Sequence, residues 1–362
     1  SFSNLISGKY KSNHLNYKHF SNYKTFFNIK SEKSRCRINA KETIFETFKN
    51  SGFVTGCYSP YQRINPTYDF DRGVDILRYC ERQSSDELID NIIAQIEMFK
   101  DTSNFIFAHS FDTHGAVKDF HRIGDFAYDE NLNKNYKFFD ENNKKETKID
   151  LEKISKKQSN FVKNKTLSER NNLMASFKYN DLRLNHLYNY IDKLKLDDYT
   201  IVVFGDHGTR FAEINKTQRL LSNSQVNVGL FIKDKKVKSF KKIKNKPIQT
   251  IDFFPSLIDR YSLKTKIKKN NIDGINSIYS KKKNPYILSE SVYEPEYHLK
   301  IIYKNIFLYS VYDFKNFTIM KHKYRIFHDY KEKTYNIDEK IKNKIITIEK
   351  KHIIKNKLNK IK

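Results

Sequence analysis

The sequence predicts an α/β fold in which a mostly parallel sheet is sandwiched by helices, followed by a small C-terminal antiparallel β subdomain. Up to about residue 283, short apolar runs alternate with amphipathic stretches of helical length, as in parallel sheets covered on both faces. From about residue 284 the apolar runs are short and separated by turns, which indicates antiparallel strands. The 362 residues suffice for one large domain and a smaller appendage.

Apolar residues at helical spacing predict the helices that flank the sheet. The longest are expected over Asp86–Lys100 and Tyr179–Leu196. A shorter helix is expected over Glu42–Asn50, where the following Gly52 suits a helix C-terminus. A fourth is expected over Ile251–Tyr261.

Continuous apolar runs predict the buried strands of the large sheet. These runs are Phe53–Thr55, Phe105–Ala108, Thr200–Phe204 and Val228–Ile232. The strands expected in the C-terminal sheet are Tyr286–Val292, Ile301–Tyr309, Phe317–Met320, Tyr324–His328 and Thr334–Ile337. The chain is thus expected to divide into an α/β domain over 1–283 with a surface insertion at 125–168, a small sheet over 284–340, and a basic tail over 341–362.

The composition limits the classes of partner. The net charge is +26, which fits an anionic ligand, but the lysines cluster outside the segments that carry recognisable chemistry. Nucleic acid is therefore not expected, and a solvated lysine surface is the simpler interpretation. The three cysteines have no metal-ligand spacing, and no apolar run approaches the ~20 residues that span a bilayer.

The strongest motif is Gly205-Asp206-His207-Gly208, which directly follows the Thr200–Phe204 strand. In an open parallel sheet, functional groups gather at the carboxyl ends of strands. A carboxylate oxygen and an imidazole nitrogen can both bind one divalent cation. Asp206 and His207 are therefore predicted to be metal ligands.

A second motif, His109-Ser110-Phe111-Asp112-Thr113-His114-Gly115, follows the other apolar strand. Two histidines and an aspartate at a strand end indicate a polar pocket. His114 is expected to act on substrate, and Asp112 either to bind it or to cap a turn. His109 is expected to be a packed histidine.

In this order the motifs resemble those of the sulfatase family of the alkaline phosphatase-like superfamily. Its members carry a strand followed by His-x-x-Asp-x-His and, later, a strand that ends in Asp-His-Gly or Asp-Asn-Gly. Further matching segments are Gly52–Thr55, Asp71–Asp75, Gln225–Leu230, Thr250–Leu257, Asp273-Gly274, Ser289-Glu290 and Lys323–Ile326. The resemblance runs from residue 1 to about residue 340.

The opening residues Ser1–His14 resemble the segment of the family that follows its nucleophile. In that alignment the nucleophile (formylglycine, Ser or Thr) would lie three positions before Ser1, together with a first strand that brings further acidic metal ligands. The resemblance therefore implies an N-terminally truncated and catalytically incomplete chain. A shortened loop with Ser1 or Ser3 as the nucleophile is the alternative.

Two departures from the pattern bear on the reaction. Phe2 stands where formylglycine sulfatases have Arg, and Ser59-Pro60-Tyr61-Gln62 replaces a Gly-Lys-Trp-His segment that contacts sulfate. These departures favour a Ser/Thr-type relative that acts on phosphoesters or transfers phospho-head groups over a classical sulfatase. The expected function is a metal-dependent hydrolase of sulfate or phosphate esters that works through a covalent intermediate. A phospho-head-group transferase of the same fold and a non-catalytic polyanion-binding remnant are the alternatives.

The resemblance also implies a cofactor and a class of ligand. One divalent ion is expected (calcium, manganese or magnesium, with zinc possible), and Arg210, two residues after the Asp-His-Gly motif, is expected to bind substrate. A two-metal site would need further histidines such as His121 or His186. The expected ligand is an anionic small-molecule, glycan or lipid head-group ester. The location stays open between the cytoplasm and the periplasm or cell exterior.

Overall fold

The computed structural model describes residues 2–9, 38, 40–61, 64, 66, 69–79, 85–113, 156–208, 221, 223–237, 247–268, 271–293, 296–304, 306–313, 318–326 and 337–355. The helices are α1 (Phe2–Ser7), α2 (Ile44–Asn50), α3 (Ser85–Met98), α4 (Lys156–Lys193), α5 (Asn223–Val226), α6 (Phe253–Tyr261) and α7 (Glu339–Lys355). The strands are β1 (Val54–Ser59), β2 (Ile76–Tyr79), β3 (Asn104–Ala108), β4 (Thr200–Phe204), β5 (Leu230–Asp234), β6 (Ile287–Tyr293), β7 (Glu296–Tyr303), β8 (Ile306–Asp313) and β9 (Ile319–Ile326). The predicted fold class is confirmed.

β1 lies at the centre of a parallel sheet, between β2 and β3. Its Gly56 aligns with Ile76 of β2 and with Ile106 of β3. β4 pairs instead with β5, and this pair is antiparallel. Only the short helix α5 is described between these two strands, and an antiparallel pair needs no helical crossover. The strand expected at Val228–Ile232 therefore forms, shifted by two residues, but runs opposite to β4.

Helices cover both faces of the strands β1 to β5. On one face, buried residues of α1, α2 and α6 form a core against which Phe105 and Phe107 of β3 and Val202 and Phe204 of β4 pack. On the other face, buried residues of α3 and α4 pack with Ile106 and Ile201. Successive strand residues thus point to opposite cores, as the two-residue period of a strand requires.

Both ends of α2 follow from local chemistry. The Thr43 side chain accepts a hydrogen bond from the Glu46 amide at 3.1 Å, and the Glu46 carboxylate accepts one from the Thr43 amide at 2.7 Å. This reciprocal capping begins the helix. After the helix, Gly52 adopts a φ of 90°, which a residue without a Cβ tolerates. The predicted end of this helix is correct.

The C-terminal sheet has the strand order β6-β7-β8-β9, and every neighbouring pair is antiparallel. The single strand expected over Ile301–Tyr309 is wrong, because the chain turns at Lys304 and Tyr303 pairs with Ile306. Conversely, Ile319–Ile326 is one strand where two were expected.

α7 packs its buried Ile345 and Ile348 against the core of this sheet. Up to Lys355, the basic tail therefore forms a packed helix. The other domain boundaries, at 283/284 and around 125–168, stay predictions.

Specific polar contacts fix the small sheet to the rest of the molecule. The Gln249 side chain accepts a hydrogen bond from the Leu288 amide at 2.9 Å. The buried Lys300 ammonium donates to the Leu221 carbonyl at 3.1 Å. None of the helices within the described ranges is long and apolar enough to cross a bilayer.

Candidate active site

Asp206 and His207 lie immediately after β4, as predicted. The His207 amide donates to Asp206 Oδ1 at 2.9 Å, which folds the carboxylate back over the turn. His207 Nδ1 lies 2.9 Å from the Gly208 carbonyl oxygen. Since a carbonyl can only accept, this hydrogen bond requires the proton on Nδ1 and leaves the lone pair of a neutral imidazole on Nε2.

This geometry is compatible with shared coordination of one ion. His207 Nε2 lies 3.7 Å from Asp206 Oδ2, and two ligands about 2.1 Å from one metal can be at most about 4.2 Å apart. Metal-binding histidines commonly donate their other ring N–H to a backbone carbonyl, as His207 does. The donor set, one carboxylate oxygen and one imidazole nitrogen, thus fits a divalent cation.

A divalent cation needs more donors than these two side chains supply. Within the described ranges, no group of three or more His, Cys, Asp or Glu side chains is arranged to hold a metal. Gly205 and Gly208 hold the turn in place from the backbone. The Gly205 amide donates to the Gly229 carbonyl at 3.2 Å, and the Gly208 amide donates to the Gln225 carbonyl at 2.8 Å. The segment before β5 therefore supports the turn that carries Asp206.

Asp112 follows β3, and the structure gives its carboxylate a clear partner. Asp112 Oδ2 accepts the amide proton of Ser85, the first residue of α3, at 2.9 Å. A carboxylate at this position accepts a hydrogen bond from an otherwise unpaired helix N–H, and its negative charge interacts favourably with the helix dipole. Ser110 Oγ donates to Asn180 Oδ1 of α4 at 3.0 Å. Asp112 therefore joins β3 to its neighbouring helices, and its role toward substrate stays a prediction.

His109 and its neighbours form a cluster of rings at the same edge of the sheet. His109 Nδ1 lies 3.1 Å from the hydroxyl of Ser59, the last residue of β1. The rings of Tyr61 and Phe111 lie 5.9 Å from the His109 ring, nearly perpendicular to it, and 6.0 Å from each other at 21°. All three rings are partly exposed. We call Tyr61, His109 and Phe111 the aromatic cluster.

The remaining predicted site residues, His114 and Arg210, lie outside the described residues, as does Ser1, the alternative nucleophile. The structure thus joins Asp206 to His207 at the end of β4, and places Asp112 with its hydrogen-bonding partners at the end of β3. Ser85 and Asn180 were not predicted to belong to this region. No spacing signal could have found them, because they come from two separate segments that only the fold brings together.

A parallel sheet between two helical layers, with an Asp-His pair at a strand end, defines the chain as an α/β protein. A sequence model named Sulfatase matches residues 1–262. The chain therefore belongs to the sulfatase family. No curated protein sequence matches it significantly.

Solved structures share the fold at low sequence identity. The crystal structure of Ps i-CgsB has a TM-score of 0.59 and 12% identity, and the match covers 99% of this chain and 82% of that chain. The same protein in complex with k-i-k-neocarrahexaose has a TM-score of 0.58 and 12% identity, and the match covers 99% of this chain and 81% of that chain. A structure from work on the metabolism of multiple glycosaminoglycans by Bacteroides thetaiotaomicron has a TM-score of 0.61 and 11% identity, and the match covers 95% of this chain and 80% of that chain. At these identities the likeness shows the fold alone.

Proposed function

We propose that the protein hydrolyses sulfate esters of a glycan with the help of one divalent cation, held in part by Asp206 and His207. Membership of the sulfatase family supports the reaction class. The observation that carries the proposal is the Asp206–His207 geometry, in which two suitable donor atoms lie 3.7 Å apart. The backbone hydrogen bond of His207 also fixes the tautomer that a metal requires.

The two side chains have distinct roles in this proposal. Asp206 supplies a charged oxygen, which suits calcium, magnesium and manganese, and His207 supplies a nitrogen, which also admits zinc. When bound, the ion would polarise an oxygen of the ester and lower the pKa of the attacking group. The turn between Gly205 and Gly208 keeps the two donor atoms 3.7 Å apart.

Residues outside the described ranges complete the proposed chemistry. His114 protonates the leaving oxygen, a role worth about 10²–10⁴-fold in rate for a general acid. Arg210 contributes positive charge for the sulfate group. The reaction proceeds through a covalent intermediate on a nucleophilic side chain, for which Ser1 is a candidate. Ser1→Ala tests this candidate, because it abolishes the sulfated enzyme only if Ser1 is the nucleophile.

A glycan is the proposed carrier of the ester. One related structure holds a neocarrahexaose, and another comes from work on glycosaminoglycan metabolism. The net charge of +26 favours association with a polyanionic chain. Phosphate monoesters are the competing substrates that the experiment includes.

The test measures metal binding and turnover separately. Isothermal titration with calcium, manganese, magnesium and zinc should show one bound ion, and Asp206→Asn and His207→Gln should each weaken binding by at least about tenfold. Sulfate release from sulfated oligosaccharides should depend on the same ion and fall in both variants. Phosphate monoesters should be poorer substrates.

Matched controls on α4 are Asp181→Asn and His186→Gln, which change the same residue types at exposed positions. Both should bind metal and release sulfate like the wild type. The metal assignment is wrong if Asp206→Asn retains full metal affinity. The reaction class is wrong if phosphate is released in preference to sulfate, and salt-sensitive polyanion binding without any hydrolysis would indicate a non-catalytic protein.

A further inference from the structure

The aromatic cluster has an architecture that the proposed ester chemistry does not use. Tyr61 and Phe111 are nearly parallel, at 21°, with ring centroids 6.0 Å apart. This centroid separation lies within the range of offset-stacked aromatic pairs. His109 stands edge-on to both.

Hydrogen bonds hold the cluster in place. The Tyr61 amide donates to Ser59 Oγ at 3.1 Å, and the same buried hydroxyl lies 3.1 Å from His109 Nδ1. The His109 amide donates to the Tyr58 carbonyl at 2.9 Å. Phe111 lies between Ser110, which is bonded to Asn180, and Asp112, which is bonded to the start of α3. The rings are thus fixed before any ligand arrives, which lowers the entropic cost of binding.

The composition of this region is that of a binding subsite. Ligand sites combine aromatic surface with a few well-placed polar groups, and here hydroxyl, amide and carboxylate groups adjoin partly exposed rings. A pyranose ring has the complementary chemistry, because one of its faces consists of C–H groups and its edge carries hydroxyls. An aromatic face covers the former at low entropic cost, since it has few rotatable bonds.

We propose that the aromatic cluster is a sugar-binding subsite that stacks a pyranose ring of the glycan chain on Tyr61 and Phe111. This inference rests on the proposed function, since it assigns the glycan part of the substrate to particular residues. Stacking contributes to the affinity for the chain and not to cleavage of the ester. Binding of an unsulfated oligosaccharide therefore tests the subsite without any catalysis.

The chain contains no tryptophan, so Tyr61→Trp introduces a single fluorescent reporter into the cluster. The probes are neocarrahexaose and a glycosaminoglycan hexasaccharide, each with its sulfate groups removed. A saturable fluorescence change is expected with at least one of them. Met320→Trp, at an exposed site on β9 of the C-terminal sheet, should show none. The absence of a change in Tyr61→Trp with both probes, or equal changes in both variants, overturns the proposal.

Kinetics provide the second readout. Phe111→Leu should raise KM for a sulfated hexasaccharide about tenfold, the size expected for truncating an aromatic contact residue. It should leave kcat/KM for a small aryl sulfate within about twofold of the wild-type value. Tyr61→Phe should change neither this kcat/KM nor the KM for the hexasaccharide. Equal losses on both substrates contradict the subsite. If Phe111→Leu does not fold, the Tyr61→Trp titration decides alone. Saccharide binding without any sulfate release sinks the proposed function and spares the subsite.

Discussion

His207 illustrates how much of this site is determined at the scale of single residues. Its ring makes a hydrogen bond through Nδ1 to the next residue's carbonyl, and its backbone amide binds the preceding carboxylate. Both contacts are local, so the sequence Asp206-His207-Gly208 contains most of the information for the candidate ligand pair. Asp112 shows the opposite case, since its partner Ser85 is remote in sequence.

Gly73 makes a residue-scale prediction about packing. It has a φ of 81°, and an added Cβ would lie 2.3 Å from the Glu46 backbone nitrogen. Gly73→Ala should lower the free energy of unfolding by about 2–5 kcal/mol, because backbone strain and overpacking add. Gly52 is the matched control, since its φ is 90° but nothing lies within 4 Å of an added Cβ.

Gly52→Ala should cost only about 1–2 kcal/mol, the strain of the left-handed conformation. Urea denaturation of the wild type and both variants measures the difference. Equal losses in the two variants would show that the close approach of Gly73 to α2 does not contribute.

At the scale of elements, α7 is attached to the C-terminal sheet through a buried carboxylate. Glu349 accepts hydrogen bonds from Ser310 and Tyr312, each at 2.5 Å, and its other oxygen lies 3.1 Å from His322 Nε2. Burial raises the pKa of Glu349, and the hydrogen bonds from His322, Ser310 and Tyr312 lower it. Together the hydrogen bonds outweigh burial, so the pKa lies below its ordinary value of 4.5. The carboxylate is therefore charged at neutral pH.

Glu349→Gln should destabilise the protein by about 1–3 kcal/mol at pH 7, because it disrupts a buried and fully bonded group. A carboxyl with a lowered folded-state pKa stabilises the fold above its unfolded pKa and loses this contribution as pH falls through the folded value. The difference between wild type and variant should therefore shrink below pH 4.5. Urea denaturation at several pH values measures it.

The control is Glu339→Gln at an exposed position on the same helix, which should change stability by no more than about 0.5 kcal/mol. A Glu349→Gln penalty that does not change with acidification would argue against a charged carboxylate at this position.

Some of the secondary-structure elements could be predicted from sequence patterns, and others could not. Hydrophobic periodicity and turn residues predicted the strands before both motifs, the end of α2 just before Gly52 and the change to an antiparallel sheet. The turn at Lys304 was not, because Lys adopts a φ of 54° there and nothing in Lys-Asn marks a tight hairpin as Asn-Gly does. The ion pairs of Arg260 with Asp198 and Asp234 likewise depend on tertiary packing, as does the aromatic cluster.

At the scale of the whole molecule, the surplus of positive charge acts against the compact state. A net charge of +26 creates self-repulsion that salt screens. The lysines need no specific partner to have this effect on stability.

Raising sodium chloride from about 20 mM to about 300 mM should therefore raise the midpoint of thermal unfolding by about 2–4 °C, which corresponds to roughly 1 kcal/mol. Differential scanning calorimetry measures the midpoint. An equal osmolality of sucrose controls for effects unrelated to charge. A midpoint that falls with salt would mean that attractive ion pairs outweigh the repulsion.

The pairing pattern of the two sheets has a consequence for the order of folding. In the C-terminal sheet each strand pairs with the next one along the chain, and Tyr293 pairs with Glu296. In the parallel sheet Val54 must pair with Asn104. Local contacts form sooner than distant ones, so the sheet that is synthesised later is the one whose strands can pair faster. Synthesis from the N-terminus offsets this difference, because it gives the slower sheet the longer time in which to find its partners.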